Sequence, residues 1–203
     1  MSFKKLHPHL KEALERLKVE GPTPFQEKGI PVIKSGANVY CIAPNGSGKT
    51  TTLILTTLHK IKCSALGNAP RALVLVEDKE RVIEMHDAFQ EYVKYTDVRV
   101  YMGYKELHVD IQKSEIFEGI DVLITTPTNL HKLFLLNGVS TSQLQICSID
   151  DGEFLKQKSE YNAMLAISQS IFKCQYVLYA EQMNTMLQRF EDHFMERARK
   201  VKL

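Results

Sequence analysis

Eight consecutive residues, Ala43-Pro44-Asn45-Gly46-Ser47-Gly48-Lys49-Thr50, have the spacing of a phosphate-binding P-loop with Ala in place of its first Gly. Glycines at 46 and 48 let backbone N–H groups close around phosphate oxygens, with Asn45 and Ser47 beside them. A helix opening at Lys49 adds the partial positive charge of its N-terminus. Lys49 is then placed to reach the β- and γ-phosphates, and the Thr50 hydroxyl to ligate magnesium. The competing explanation is a Gly-rich turn with a solvated lysine. A second group, Asp150-Asp151-Gly152-Glu153, ends the apolar run Ile146-Cys147-Ser148-Ile149. A carboxylate there, Asp150, can hold magnesium opposite the P-loop, partly through water. An acidic turn capping the next helix accounts for the same residues through the helix dipole.

A third stretch, Gly21-Pro22-Thr23-Pro24-Phe25-Gln26, contains the pair Thr23-x-x-Gln26 with Pro24 between them. That is a capping box with proline at the first helical position, so a helix starts at Pro24.

The elements that must carry these groups follow from periodicity. Leu10, Ala13, Leu14 and Leu17 recur at helical spacing and predict a first helix that Gly21 and Pro22 terminate. Strands are predicted at 38–42, 72–76, 98–102, 121–125, 144–149 and 175–179. Helices are predicted at about 49–62, 79–94, 130–136, 153–170 and 183–200, the last with a buried stripe of Met183, Leu187, Phe190 and Phe194. Buried strands alternating with helices predict an α/β fold with a mostly parallel central sheet covered on both faces. Ligands then bind beyond the carboxyl ends of the strands.

Composition bounds the rest. A chain of 203 residues, 44% apolar and 25% charged, without linker-like or repetitive segments, is expected to form one domain over 1–203. Collagen-like, mucin-like and disordered classes are excluded. The longest apolar runs, such as Arg71 to Val76, fall far short of the roughly 18 residues of a membrane span, and no secretory signal opens the chain. The net charge of 26 minus 24, or +2, does not by itself point to nucleic acid. Cys41, Cys63, Cys147 and Cys174 lack zinc or redox spacing, and three of them sit in apolar runs that read as strands. They are expected to be reduced core residues in a cytoplasmic protein.

Gln26 lies 23 residues before Lys49, and this interval with the string P-T-P-F-Q resembles the adenine-reading Q motif of the DEAD-box RNA helicases. The resemblance continues in order along the whole chain, which is about the length of that family's first RecA-like domain, with the Q-motif-like region at 1–35. A-P-N-G-S-G-K-T resembles the family's A-x-T-G-S-G-K-T. Val76-Glu77-Asp78-Lys79-Glu80 stands at P-T-R-E-L, Gly103-Tyr104 at a Gly-Gly pair, and Thr126-Pro127-Thr128-Asn129-Leu130 at T-P-G-R-L. Asp150-Asp151-Gly152-Glu153 stands at D-E-A-D, and Tyr179-Ala180-Glu181 at S-A-T.

The resemblance implies a RecA-like P-loop three-layer α/β/α sandwich that binds ATP or ADP with Mg2+. His9, Phe25 and Gln26 are implied on the nucleotide beside the loop, with His9 in the place of the aromatic that stacks on adenine. Lys49, Asp150 and Asp151 are implied as the catalytic set, and Lys79, Gly103, Thr126 and Pro127 as weak contacts to single-stranded RNA. The departures imply a weakened enzyme. Asp151 is one methylene shorter than the Glu that positions the attacking water, roughly 1.3 Å, and misplacement on that scale costs about 10²-fold in rate. The family's arginine fingers, worth about 10³ to 10⁵, come from a second RecA-like domain, which is implied here only in trans. Three alternatives stay open. They are a non-catalytic pseudo-helicase module that binds another protein chain, an ABC-type ATPase suggested by P-N-G-S-G-K-T-T-T but lacking L-S-G-G-Q, and a small P-loop kinase.

Overall fold

The computed structural model describes residues 2–203. Seven strands form one sheet: β1 (Val39–Ile42), β2 (Ala72–Leu75), β3 (Val100–Gly103), β4 (Val122–Thr125), β5 (Ile146–Ile149), β6 (Gln175–Ala180) and β7 (Arg199–Lys202). Their order is β3-β4-β2-β5-β6-β1-β7, and every neighbouring pair is parallel. Eight α-helices connect them: α1 (Pro8–Arg16), α2 (Pro24–Lys34), α3 (Lys49–Lys60), α4 (Lys79–Val93), α5 (Val109–Glu118), α6 (Pro127–Leu135), α7 (Lys158–Ser170) and α8 (Thr185–Arg189). Among the described residues no helix is long and apolar enough to cross a membrane.

The sheet is buried on both faces because side chains alternate across it. Val39, Cys41, Val74, Ile124, Ile146, Val177 and Tyr179 point to one core, which they share with Leu14 of α1, Ile30 of α2, Leu55 of α3 and Phe89 of α4. Tyr40, Ile42, Leu73, Leu75, Cys147, Ile149 and Leu178 point to the other, with Leu130 of α6, Met164 of α7 and Leu187 of α8. Continuous apolar strands packed on two sides give the three-layer sandwich. Parallel pairing then delivers the carboxyl ends of all the strands to one edge.

The sequence-based expectation fails in three places. Residues 183–200 do not form one helix. The stripe of Leu187, Phe190 and Phe194 is buried as its spacing requires, but α8 stops at Arg189. A 3-10 turn follows, Arg197 takes a left-handed φ of 53°, and the chain returns as β7 beside β1. Residues 153–170 are split at Gln157, whose ψ of 124° is extended, into a 3-10 turn (Gly152–Lys156) and α7. Helix α5 was not expected from the pattern, because it buries Gln112 and Ile116 and exposes Ile111 and Phe117. The cysteines are all free. Cys41 and Cys147 lie in β1 and β5, Cys174 sits just ahead of β6, and Cys63 lies in the turn after α3.

The sheet edge opposite the P-loop is tied by Asp121, which is fully buried before β4. It accepts from Arg71 at 2.7 Å, from Arg99 Nε at 2.9 Å, and from the backbone N–H groups of Leu66 and Arg99 at 3.0 Å each. Arg71 also donates to the carbonyls of Ile61 and Ser64. Burial alone would raise the Asp121 carboxyl, but the hydrogen bonds from Arg99, Arg71 and Leu66 outweigh it and hold the group below the ordinary range. Its stabilisation is therefore present above the unfolded pKa of about 3.9 and is lost as pH falls through the folded value. Replacing Asp121 with Ala leaves the Arg71 guanidinium, 3% exposed, without its carboxylate. The expected loss is about 3–5 kcal/mol at pH 7, or a melting temperature roughly 10 °C lower. Calorimetry showing less than about 1 kcal/mol of loss would mean that water replaces the carboxylate.

Candidate nucleotide-binding site

Strand β1 carries the chain to Ala43, whose N–H donates to the Ala180 carbonyl of β6 at 3.1 Å. The P-loop then turns through two left-handed glycines, Gly46 at φ 77° and Gly48 at φ 92°, before α3 begins at Lys49. Gly48 is required twice over. Its φ strains any L side chain, and a Cβ there would stand 2.6 Å from Gln26 Nε2. Lys49 is 6% exposed. Its ammonium donates to the Ala43 carbonyl at 2.8 Å and lies 3.4 Å from Asn45 Oδ1 and 3.8 Å from Asp151 Oδ1. The charge is thus held inside the curve of the loop. Thr50, half-buried in the first turn of α3, sits where the sequence placed it.

Helix α2 grips this loop through the capping box. Thr23 Oγ1 accepts from Gln26 N at 3.2 Å, and Gln26 Oε1 accepts from Thr23 N at 2.9 Å, which closes the box. The same two side chains donate outward, Thr23 Oγ1 to the Ser47 carbonyl at 2.7 Å and Gln26 Nε2 to the Gly48 carbonyl at 3.3 Å. Gln26 therefore acts as a helix cap and as a brace of the P-loop. Phe25, fully buried, belongs to the core below it.

Strand β5, two strands from β1 in the sheet, ends at Asp150, which is 2% exposed. Its Oδ2 accepts from Arg81 Nη2 at 2.7 Å, while its Oδ1 has no hydrogen-bond partner. Burial pushes the Asp150 carboxyl up to about 6 and the Asp151 charge adds to this, while Arg81 and Lys49 offset part of it. Asp151, left-handed at φ 45°, points one carboxylate oxygen at Lys49 and places the other 3.7 Å from Arg81. Glu153 accepts from the backbone N–H groups of Glu181 at 2.6 Å and Gln182 at 3.2 Å, which joins the acidic turn to the end of β6. Tyr179 points the other way, into the core beside Thr56. Arg81 was not singled out from the sequence, and Glu153 was named there only within the acidic group, with no role of its own. The signal for Arg81 is a basic residue in the first turn of α4, against the helix dipole.

Other expected site residues are placed differently. His9 is not brought to the P-loop. It stacks on His7, whose backbone N–H donates to His59 at the far end of α3. The turn Ser2–Lys5, which carries Phe3, packs on α2 instead. Lys79 opens α4 and lies over the Tyr104 ring at 5.2 Å. Asp78 caps α4 by accepting from Arg81 N, which gives it a structural role. Thr126 caps α6 with Pro127 at its first position. Asn129 is buried and donates to Gln112 and Thr125, and Gly103 must lack a side chain because a Cβ would meet Gln112 Oε1 at 2.8 Å. Beside the acidic turn, a cleft of about 460 Å³ is lined by Glu77, Asp151, Glu153 and Glu181, with Lys156 as its one basic lining residue.

A parallel α/β/α sandwich with a P-loop after β1 and a carboxylate after β5 defines a RecA-like P-loop domain. The chain belongs to the DEAD/DEAH box helicase family, whose profile matches residues 23–189. It is 26% identical over its full length to the ATP-dependent RNA helicase DeaD of Buchnera aphidicola and spans 34% of that protein. It is 30% identical over 151 residues, 74% of this chain and 18% of the relative, to the putative DEAD-box ATP-dependent RNA helicase 29 of Arabidopsis thaliana. Among solved structures, a DEAD box protein from Methanococcus jannaschii superposes with a TM-score of 0.89 at 16% identity, over 98% of this chain and 54% of that one. S. cerevisiae Dbp5 bound to RNA and ADP BeF3 does so with a TM-score of 0.86 at 19% identity, over 98% and 50%. The chain thus spans 34% and 18% of these curated relatives and about half of the solved chains.

The residues also bear on a hard cation. Among the described residues no group of three or more His, Cys, Asp or Glu side chains could hold a metal by itself. The Thr50 hydroxyl and the unpartnered Asp150 Oδ1 are oxygen donors of the right kind for magnesium, which phosphate oxygens would complete. Without such a ligand the buried Asp150 carboxylate is a cost. Its folded pKa lies above the unfolded value of about 3.9, so the folded state binds more protons between the two and stability falls as pH rises through that window. Two units correspond to at most about 3 kcal/mol at pH 7. In metal-free buffer Asp150→Asn should therefore raise the melting temperature at pH 7 by roughly 5 °C and leave it little changed at pH 4. A variant less stable than wild type at pH 7 would show that the Arg81 pair more than compensates for burial.

Proposed function

We propose that this chain is the nucleotide-binding RecA-like half of a DEAD-box RNA helicase system. It takes ATP or ADP on the P-loop, is slow in hydrolysis, and does not unwind duplexes alone. The observation that carries this is the loop itself. Gly46 and Gly48 are left-handed, Lys49 is held inside the curve, and Thr50 follows at the start of α3. Ser47 Oγ, Asp150 Oδ1 and Asp151 Oδ1 are buried without hydrogen-bond partners around it, an arrangement that suits a polar ligand. When bound, magnesium would be held by Thr50 and Asp150 and would supply charge stabilisation to the phosphates. Within this chain Lys49 binds the phosphates, the loop N–H groups orient them, and Asp151 is the residue placed to accept a proton from water. Asp151 is shorter than the glutamate it stands for, and an arginine finger would have to come from a second RecA-like domain, so turnover by this domain by itself is expected near background.

A second reading, an interaction module that no longer works on RNA, is favoured by the acidic cleft. Lys79 is engaged with Tyr104, Thr126 serves as a cap, and Glu77, Glu153 and Glu181 put negative charge where an RNA backbone would approach. Each phosphate neutralised on a single strand adds about 0.7 to the salt slope of binding, and a total near one or two is expected. A protein chain, a second RecA-like domain or another partner, would then cover this edge in trans.

Calorimetric titration of ATP, ADP and GTP tests the first reading. Wild type should bind ADP and ATP, Lys49→Ala should lose measurable affinity with its circular dichroism unchanged, and Gln26→Ala should flatten any preference for ATP over GTP. Absence of binding to wild type at millimolar nucleotide would leave the fold as an interaction scaffold. Steady RNA-stimulated hydrolysis abolished by Asp150→Ala would overturn the claim of slow turnover.

A further inference from the structure

Arg81 occupies an unfavourable position for a cation. It lies in the first turn of α4, where the helix dipole favours negative charge, and its own N–H is already used by the Asp78 cap. Its side chain nevertheless crosses to the neighbouring element. Nη2 is 2.7 Å from Asp150 Oδ2 and 3.7 Å from Asp151 Oδ2, while Nη1 is 2.8 Å from the solvent-facing Glu84. The guanidinium thus shares the carboxylate whose other oxygen is the buried, unpartnered donor described above. Two cations, Lys49 and Arg81, face the carboxylates of Asp150 and Asp151, with the exposed Glu84 on the solvent side of Arg81, so the inner pair is offset by the chain's own cations. An apolar side chain at position 81 would remove one of those two cations, and a phosphate entering the loop would meet uncompensated negative charge. Magnesium, if held by Asp150 Oδ1, would share that carboxylate with the guanidinium, and like charges so placed would disfavour each other.

We propose that Arg81 sets the metal dependence of this site: its guanidinium supplies at Asp150 the positive charge that magnesium would otherwise bring, so nucleotide binds with little dependence on magnesium. The inference rests on the nucleotide-binding reading and adds to it a residue that determines cofactor use. Fixed on a helix, bonded to Asp150 and Glu84 and within 3.7 Å of Asp151, the guanidinium is preorganised and needs no recruitment from solution.

Calorimetric ADP titration in excess magnesium and in EDTA, on wild type, Arg81→Leu and Arg81→Lys, decides the matter. Wild-type affinity should differ by less than about threefold between the two buffers. Arg81→Leu should lose about tenfold or more in EDTA and recover most of it with magnesium, while Arg81→Lys, which keeps the charge, should fall between them. Wild-type binding that tightens about tenfold with magnesium overturns the proposal. Magnesium-independent binding that Arg81→Leu does not alter overturns it too, and leaves the nucleotide reading standing. No ADP binding by wild type in either buffer sinks both. A thermal melt of each variant, with cooperative unfolding as the criterion, ensures that the affinities are those of folded protein.

Discussion

The hydrogen bonds from Thr23 and Gln26 to the carbonyls of Ser47 and Gly48 are the constraint on which the site depends. A P-loop has few side chains with which to hold its own shape. Here its two left-handed glycines are fixed from outside by the first turn of α2, and from below by Ala43 bonded to β6 and by Thr52 bonded to Gly48. With the loop anchored on three elements, its shape is set before any ligand arrives, which is how a site binds phosphate at low ordering cost. The sheet supplies the rest. Parallel strands put the ends of β1, β5 and β6 side by side, so that residues 107 positions apart in the chain, Ala43 and Asp150, both face Lys49.

Electrostatics then separates this domain from a generic P-loop site. The acidic turn after β5 is clamped at both ends. Arg81 reaches Asp150 from α4, and Glu153 reaches the backbone after β6. These links run between the helix that opens with Lys79 and the end of β6, the two segments that stand at P-T-R-E-L and S-A-T in the family. The clamps are made of charges and backbone groups that the chain supplies itself. The same strand edge carries an excess of acidic side chains, Glu77, Asp151, Glu153 and Glu181, toward the cleft.

Much of this was legible in the sequence because the signals were local. The P-loop, the capping box and the start of α2, and the doubly buried strands each follow from a few adjacent residues. What escaped was set by distant contacts. Arg199–Lys202 reads as a basic helix end, yet its backbone pairs with β1 and only Val201 turns inward. Arg197 adopts its left-handed turn without the glycine that usually announces one. Helix α5 hides behind a buried glutamine that answers Asn129, a pairing 17 residues apart that periodicity does not detect. His9 illustrates the limit of counting along a chain, since its place against His7 is fixed by where α1 packs and not by its distance from Gln26. Arg81 directly follows the stretch Val76 to Glu80 read as the counterpart of a family motif, and only the packing of the chain shows that its side chain reaches the carboxylate of Asp150 after β5.

The central claim is that the braced loop between β1 and α3 is the place where nucleotide binds. Amide hydrogen exchange followed peptide by peptide, with and without ADP, reads that place directly. The account predicts added protection concentrated in the segments spanning Asn45 to Thr50 and Thr23 to Gln26, with little change along the opposite sheet edge around Asp121. Unchanged exchange across the loop at an ADP concentration that shifts the melting temperature, or protection appearing only elsewhere, would contradict it.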